Sequence, residues 1–304
     1  MGILVWGLGF GFWDFSSPMR KLLLQLDTSP HPSVFDRVVA YDGGADEVMS
    51  YGGVTADAVR DLVHGAIFTR GPKDLHNTAI FIGGTDMSDG EALLKAVRKA
   101  FFGPFSVSVM LDSNGSNTTA VAAVAKLVQV TGGGAGQRAV VTAGTGPVGL
   151  RAAGLLAKAG AEVTITSRRG ADAATIAAIR QRFGGAVRDV VLADSTGAGA
   201  VLEGATLLLN TGPAGVRLVP REAWAGRAGL RAVADLNAVP PLGIEGVEVT
   251  DNAVERDGVT VFGALGVGHL KMKIHKACIA RLFERNDLVL DAETIAEVAG
   301  ELRT

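Results

Sequence analysis

The residues with the clearest chemical purpose lie in Ala143-Gly-Thr-Gly-Pro-Val-Gly149. A strand over Ala139–Thr142 precedes them, a helix to Ala159 follows, and a second strand covers Glu162–Thr166. In such a unit Gly144 makes the turn, Gly146 lets a pyrophosphate approach the backbone, and Gly149 lets the helix pack on the strand. Thr145, Pro147 and Val148 complete the cradle, and the helix N-terminus adds N–H donors and a partial positive charge. A dinucleotide is the expected ligand. The competing reading is a glycine-rich turn in an unrelated sheet, which would not need both flanking strands in register.

The end of the second strand selects the dinucleotide. An NAD site carries Asp or Glu there to accept the ribose 2′-hydroxyl. This chain has Thr166-Ser167-Arg168-Arg169 instead. Two guanidiniums and a hydroxyl suit a 2′-phosphate through charge-assisted hydrogen bonds. NADP is therefore expected; the bland reading of Arg168 and Arg169 is a solvated pair. Thr211, Gly212, Pro213 and Asn237 follow later strands (Thr206–Leu209 and Ala232–Leu236) and are expected beside the nicotinamide half.

A second constellation, Asp112-Ser-Asn-Gly-Ser-Asn-Thr-Thr119, joins a strand over Phe105–Leu111 to a helix over Ala120–Val130. Small polar groups at a strand's C-terminal end and a helix N-terminus face the ligand edge of an α/β sheet. Asp112, Asn114 and Thr118 are candidates there, as is Asp27 at the end of a strand over Lys21–Leu26. Capping and turn chemistry is the ordinary use of the same residue types.

These groups need elements to hold them. Ser33 caps a helix over Phe35–Ala40, Thr55 begins another, and Ala79–Ile82 is a strand stopped by Gly83-Gly84. Ser88 caps the next helix, and Val190–Ala193 is a further strand. Strands alternating with helices through short connections predict parallel βα units. Five strands from Ala139 onward build a doubly wound, Rossmann-type sheet, and Phe262–Gly268 reads as a glycine turn before a helix. A boundary is expected near Thr131-Gly-Gly-Gly-Ala-Gly136. The fold class is thus α/β, with an N-terminal α/β domain beside a Rossmann-type domain.

Composition narrows the partners. The 304 residues are 48% hydrophobic and 20% charged, enough to bury a core, and the net charge of −2 leaves no footprint for nucleic acid or anionic membrane. One cysteine, Cys278, excludes an internal disulfide, and five scattered histidines show no metal spacing. A reducing, cytoplasmic compartment fits. Residues 1–18 are apolar but lack a basic leader and carry Asp14, so Met19 reads as the start and 1–18 as an upstream extension. Signal peptide and packing segment are the alternatives. Glycine fills 41 positions, clustered at strand ends and helix starts rather than spread as linker.

Several segments together resemble one family: LLLQLDTSPHPSVFD, YDGGAD, FFGPFSVSVMLDSNGSNTT, AGTGPVG, NAVPPLGI and FGALGVGHLKMKIH. They are similar to the NADP-dependent methylene-tetrahydromethanopterin dehydrogenases of methylotrophic bacteria, over essentially all of 19–304. Within that family the type that also accepts methylene-tetrahydrofolate matches best. The resemblance implies hydride transfer from the methylene carbon to NADP, with no metal, in a cleft between a pterin-binding domain (19–132 with 270–304) and a Rossmann domain (133–269). It also implies a homo-oligomer, a trimer being expected. By that match Lys273 binds the pterin's polar edge or tunes charge near its imidazolidine ring, with Lys271 as second choice. Phe35 is expected to pack against the pterin or gate its approach to nicotinamide, and Asp27, Asp112, Asn114 and Thr118 are expected to hydrogen-bond it. His269 departs from a position expected to be small. Two alternatives stay open: an NADPH-dependent reductase of a related pterin such as dihydromethanopterin, and a non-catalytic NADP sensor.

Overall fold

The computed structural model describes residues 19–302, so the reading of 1–18 lies outside the described residues. The first strands are β1 (Leu22–Asp27), β2 (Glu47–Tyr51), β3 (Thr78–Gly83) and β4 (Ser108–Leu111), all parallel, in the order β4-β3-β1-β2. Their near-continuous apolar runs, such as TAIFIG in β3 with every residue buried, are what a sheet covered on both faces requires. Helices α1 (Val34–Asp42), α2 (Val59–Ile67) and α3 (Met87–Ala100) connect them.

A long helix, α4 (Ser116–Thr131), leads to the second sheet. That sheet holds β5 (Arg138–Thr142), β6 (Glu162–Ser167), β7 (Ala186–Val191), β8 (Leu207–Asn210), β9 (Ala232–Asp235), β10 (Asn252–Arg256) and β11 (Val259–Phe262). Its order is β10-β11-β9-β8-β5-β6-β7, parallel except for the β10–β11 hairpin. Without β10 this is the doubly wound Rossmann order, reversing between β5 and β8. Helices α5 (Pro147–Lys158), α6 (Ala173–Phe183), α7 (Ala198–Val201) and α8 (Arg221–Trp224) cross over, and α9 (Ala264–Arg281) leaves the sheet. The chain then returns: β12 (Val289–Leu290) pairs with β4, and α10 (Ala292–Glu301) ends the described chain.

The first sheet therefore reads β12-β4-β3-β1-β2, whose direction of winding reverses between β1 and β3. One apolar cluster runs through both sheets, from Leu23, Phe81 and Met110 to Val141, Ile165 and Leu209. Helix α4 makes this possible: Ala120, Val121, Ala122, Ala123 and Leu127 are all buried, as in a helix enclosed on every side.

Several elements differ from the sequence expectations. Asp86, not Ser88, caps α3, accepting the Asp89 N–H at 3.0 Å, because the helix starts one residue before Ser88. Helix α2 starts at Val59 rather than Thr55. The strand expected over Val190–Ala193 lies at Ala186–Val191. The second sheet has seven strands among the described residues, not five; β2, β10 and β12 carried too little apolar sequence to announce themselves, and β11, though apolar, is only four residues long. The boundary expected at 269/270 would cut through α9, which is continuous from Ala264. Gly266 lies inside that helix, where the backbone passes too close to the segment before β10 for a side chain: an added Cβ would sit 2.0 Å from the Asp251 carbonyl oxygen.

Candidate active site

Two clefts open at the C-terminal ends of the two sheets, the edge at which α/β folds present ligands; the first lies where strand order reverses, between β1 and β3. The cleft on the second sheet is built by β5, β6 and α5. Gly144 lies against Ile165, where a Cβ would come within 2.8 Å of the Ile165 Cβ, and a Cβ on Gly149 would fall 2.6 Å from the Gly144 Cα. Gly146, the N-cap of α5 with Pro147 after it, faces open space instead, the atom nearest to an added Cβ being the Ala143 carbonyl oxygen at 3.9 Å. Two glycines thus close the strand–helix packing and one leaves room for a phosphate.

Beyond β6 a cavity of about 440 Å³ is lined by Thr145, Ser167, Arg168, Arg169 and the chain to Thr175. The Ser167 hydroxyl is buried and has no hydrogen-bond partner, while both arginines are exposed at its rim. Asp189 on β7 accepts the Ala171 N–H at 2.8 Å and so fixes the loop that follows the arginines. An orphaned hydroxyl beside two guanidiniums, with no carboxylate at the end of β6, fits a 2′-phosphorylated dinucleotide.

At the ends of β8 and β9, Asp235 organises the loops. It is buried and accepts from Asn210 Nδ2 (2.7 Å), the Asn237 N–H (3.0 Å) and the Ile244 N–H (2.8 Å). Asn210 in turn accepts from the Thr142 hydroxyl (2.7 Å) and the Gly212 N–H (3.2 Å), and Asn237 reaches the Pro213 carbonyl at 3.3 Å. Thr211 donates to the Thr142 carbonyl at 2.9 Å. These residues line the reversal between β5 and β8 and leave Pro213 exposed.

The cleft on the first sheet is a cavity of about 370 Å³ bounded by Asp27, Ser29, His31, Ser33, Phe35, Asp36, Gly84, Thr85, Asn114, Gly115 and Lys271. The Lys271 ammonium lies 4.5 Å from the centroid of the Phe35 ring, at cation–π distance. Below them His275, one helical turn after Lys271, is fully buried and stacks on Phe81 with centroids 5.5 Å apart. Burial, reinforced by the Lys271 charge, pushes the His275 pKa down to about 3, so the ring is neutral, and neither nitrogen has a partner.

The loop between β4 and α4 hangs on Asp112. One carboxylate oxygen accepts the Asn117 and Thr118 N–H groups (2.8 and 3.0 Å), and the other accepts the Thr118 hydroxyl (2.6 Å). This holds Asn114 and Gly115 in left-handed backbone, φ 53° and 61°, with Asn114 at the cavity wall. Burial raises the Asp112 pKa to about 6, opposed by Lys271 and the Thr118 hydrogen bonds. Asn117 ties the two clefts together, since its side-chain oxygen accepts from Arg151 of α5 at 2.6 Å, and Arg151 also pairs with Glu91 at 2.7 Å.

Comparison with known proteins now bears on this arrangement. A family model described as the N-terminal part of methylene-tetrahydromethanopterin dehydrogenase matches residues 34–114. The bifunctional protein MdtA of Methylorubrum extorquens is 51% identical over 286 residues, 93% of this chain and 99% of that protein. The chain belongs to the methylene-tetrahydromethanopterin dehydrogenase family. An NAD(P)-dependent methylenetetrahydromethanopterin dehydrogenase of the same organism is 32% identical, over 93% of this chain and 99% of that protein. The family fold is also shared more widely. Shikimate 5-dehydrogenase from Listeria monocytogenes superposes with a TM-score of 0.53 at 12% identity, covering 92% of this chain and 96% of that one.

Within this dehydrogenase family member, the sequence candidates fall into distinct places. Asp27, Phe35, Asn114 and Lys271 share the first cleft. Lys273 does not: it is exposed on α9, while Lys271 lines the cavity. Two residues along a helix rotate a side chain by about 200°, so only one of the pair can face the cleft, and it is the one in step with buried Ile274, His275 and Cys278. Asp112 and Thr118 are fully buried and satisfy each other, so they shape the loop beneath the cavity instead of lining it. His269 lies outside the cavity wall. Asp36, His275, Arg151 and Asp189 were not legible as site residues. Asp36 at the third position after the Ser33 cap has the ordinary look of a helix-start carboxylate.

Proposed function

We propose that this chain is an NADP-dependent dehydrogenase that takes a hydride from the methylene carbon of methylene-tetrahydromethanopterin, and of methylene-tetrahydrofolate, leaving the methenyl form. The observation that carries the reading is the pairing of two sheet-end clefts in one chain: one, beyond β6, suited to a 2′-phosphorylated dinucleotide, the other walled by Phe35 and Lys271. When bound, NADP supplies the hydride-accepting carbon. Gly144–Gly149 would hold its pyrophosphate and Ser167, Arg168 and Arg169 its 2′-phosphate. Thr211, Gly212, Pro213 and Asn237 would flank the nicotinamide.

The substrate's own ring nitrogens stabilise the cation that forms, so the protein's task is to hold two rings at attack distance and keep water out. Phe35 offers an aromatic face to the pterin, and Lys271, rather than Lys273, bears on its polar edge. Asp27 and Asn114 bound the same cavity, and Asp112 and Thr118 act through the loop they brace. We assign the pterin unit to 19–132 plus the C-terminal segment, and the dinucleotide unit to 133 up to the start of α9. A homo-oligomeric state, a trimer by family resemblance, is supported by Val34, Val38 and Tyr41, which leave an apolar stripe exposed along α1. A cytoplasmic site of action agrees with the single buried thiol, Cys278.

The test is direct. Purified protein is mixed with NADP and each methylene carrier, and NADPH absorbance is followed. Reduction with at least one carrier is expected; none with either would sink the proposal. Running the assay backwards with NADPH and dihydromethanopterin separates the reductase alternative.

A further inference from the structure

Two carboxylates, Asp27 and Asp36, line the first cleft and a third, Asp112, lies buried beneath it, and their hydrogen bonding separates them. Asp27 spends one oxygen on the Ser29 N–H (2.8 Å) and the other on the Ser33 N–H (3.1 Å). Asp112 spends both on Asn117 and Thr118. Asp36 lines the same cavity, one residue beyond Phe35; its backbone N–H donates to the Ser33 hydroxyl oxygen at 3.2 Å, and the same Ser33 side chain is the hydrogen-bonding group that bears on its carboxylate. Among the described residues it closes no ion pair, although the charges of Lys271 and Asp27 both act on it. Burial raises its pKa, so it is a carboxylate held partly out of water with acceptor capacity left over.

We propose that Asp36 recognises the aminopyrimidine edge of the carrier, its two carboxylate oxygens accepting from the ring N3–H and the exocyclic 2-amino group. This rests on the pterin reading above and names the residue that orients the substrate. A carboxylate is the natural match for that edge because the edge presents two parallel N–H donors, as a guanidinium does. Position agrees with the chemistry: Phe35 and Asp36 both line the same cavity, so an aromatic face and a carboxylate are presented to one ligand. The edge is common to tetrahydromethanopterin and tetrahydrofolate, so one contact serves both carriers.

The experiment uses the full chain and steady-state kinetics with NADP and each methylene carrier. In Asp36→Asn, one oxygen becomes a donor and opposes the 2-amino group. KM for both carriers is expected to rise in parallel by about 10- to 100-fold, while KM for NADP stays within about 2-fold. Asp36→Glu, which keeps the charge, is expected to fall between the two. A ligand-side arm uses methylene-tetrahydrofolate and its 2-desamino-2-methyl analogue. Wild type should discriminate between them by about 10-fold or more, and Asp36→Asn by less than about 3-fold. An active Asp36→Asn with unchanged carrier KM overturns the assignment while leaving the function standing. Equal use of the carrier and the analogue by wild type overturns it too, even if Asp36→Asn fails to fold. Wild type inactive with both carriers sinks the functional reading and this assignment with it.

Discussion

The ammonium of Lys271 stands over the ring of Phe35, 4.5 Å from its centroid, and thereby joins α9 to α1 across the first cleft. The pair comes from segments 236 positions apart in sequence (271 less 35), and each restrains the other. A cation held on an aromatic face contributes about 0.5–2 kcal/mol and, more usefully, a fixed position. Replacing Lys271 by Met is expected to lower kcat/KM for the methylene carrier by about 100-fold, the loss typical when a positioned charge is removed from an active site. Lys273→Met is expected to change it by less than about 2-fold, as for an exposed helix face. Kinetics on both variants decide the matter, and the reverse ordering would restore Lys273.

Arg168 and Arg169 should govern cofactor choice. Each charge-assisted hydrogen bond to a phosphate is worth about 1.5–3 kcal/mol, so the double substitution to Ala is expected to raise KM for NADP by about 100-fold or more. KM for NAD, which has no 2′-phosphate, should move less than about 3-fold. The NADP effect should also weaken in added salt, because both side chains are exposed. Equal losses for the two nucleotides would show that the 2′-phosphate lies elsewhere.

His275 makes the folded protein acid-sensitive. Its pKa is depressed to about 3 by burial, against about 6.5 in the unfolded chain. Below pH 6.5 the unfolded state therefore binds a proton that the folded state refuses, and stability falls as pH drops toward 3. The slope is about 1.4 kcal/mol per pH unit per proton. Asp112, whose pKa is raised, works in the opposite direction between about pH 6 and 4, so the comparison must isolate His275. Urea unfolding of wild type and His275→Phe at pH 7.5 and 4.5 should show the wild type losing about 2–3 kcal/mol more than the variant. Identical pH profiles would mean that the imidazole is not held neutral.

Gly90 on α3 seats the loop that carries Asn114. A Cβ there would fall 2.2 Å from the Ser113 hydroxyl oxygen, which itself donates to the Gly83 carbonyl at 3.0 Å. Gly90→Ala is expected to displace the loop, costing about 1–3 kcal/mol of stability and raising KM for the carrier several-fold. KM for NADP, read on the other sheet, should hold. A thermal melt and the two KM values check this, and an unchanged carrier KM would show that the loop has room to yield.

Much of the dinucleotide half was legible along the chain because its determinants are local. Gly144, Gly146 and Gly149 act on a single turn between one strand and one helix, and Ser167–Arg169 end the very next strand. The first cleft was legible only in part. The segment from Asp112 to Thr119 announced a strand-to-helix junction, yet nothing in its spacing told that Asp112 and Thr118 would turn inward and satisfy each other while Asn114 faced the cavity. Buried polar partners are chosen by burial, and burial belongs to the assembled sheet.

From its sequence alone this protein was determined as an α/β chain with a Rossmann unit, an arginine pair where NAD enzymes carry an acid, and the segments of a pterin dehydrogenase. Periodicity, glycine spacing and charge act over a few residues and survive reading in one dimension. Tertiary structure decided which lysine of α9 reaches the cleft, that Asp27 and Asp36 line it while Asp112 is buried beneath it, and that β12 returns to the first sheet. Those outcomes depend on helix rotation and on partners far apart in the chain: Lys271 and not Lys273 meets Phe35 because α9 packs its Ile274–Cys278 face inward.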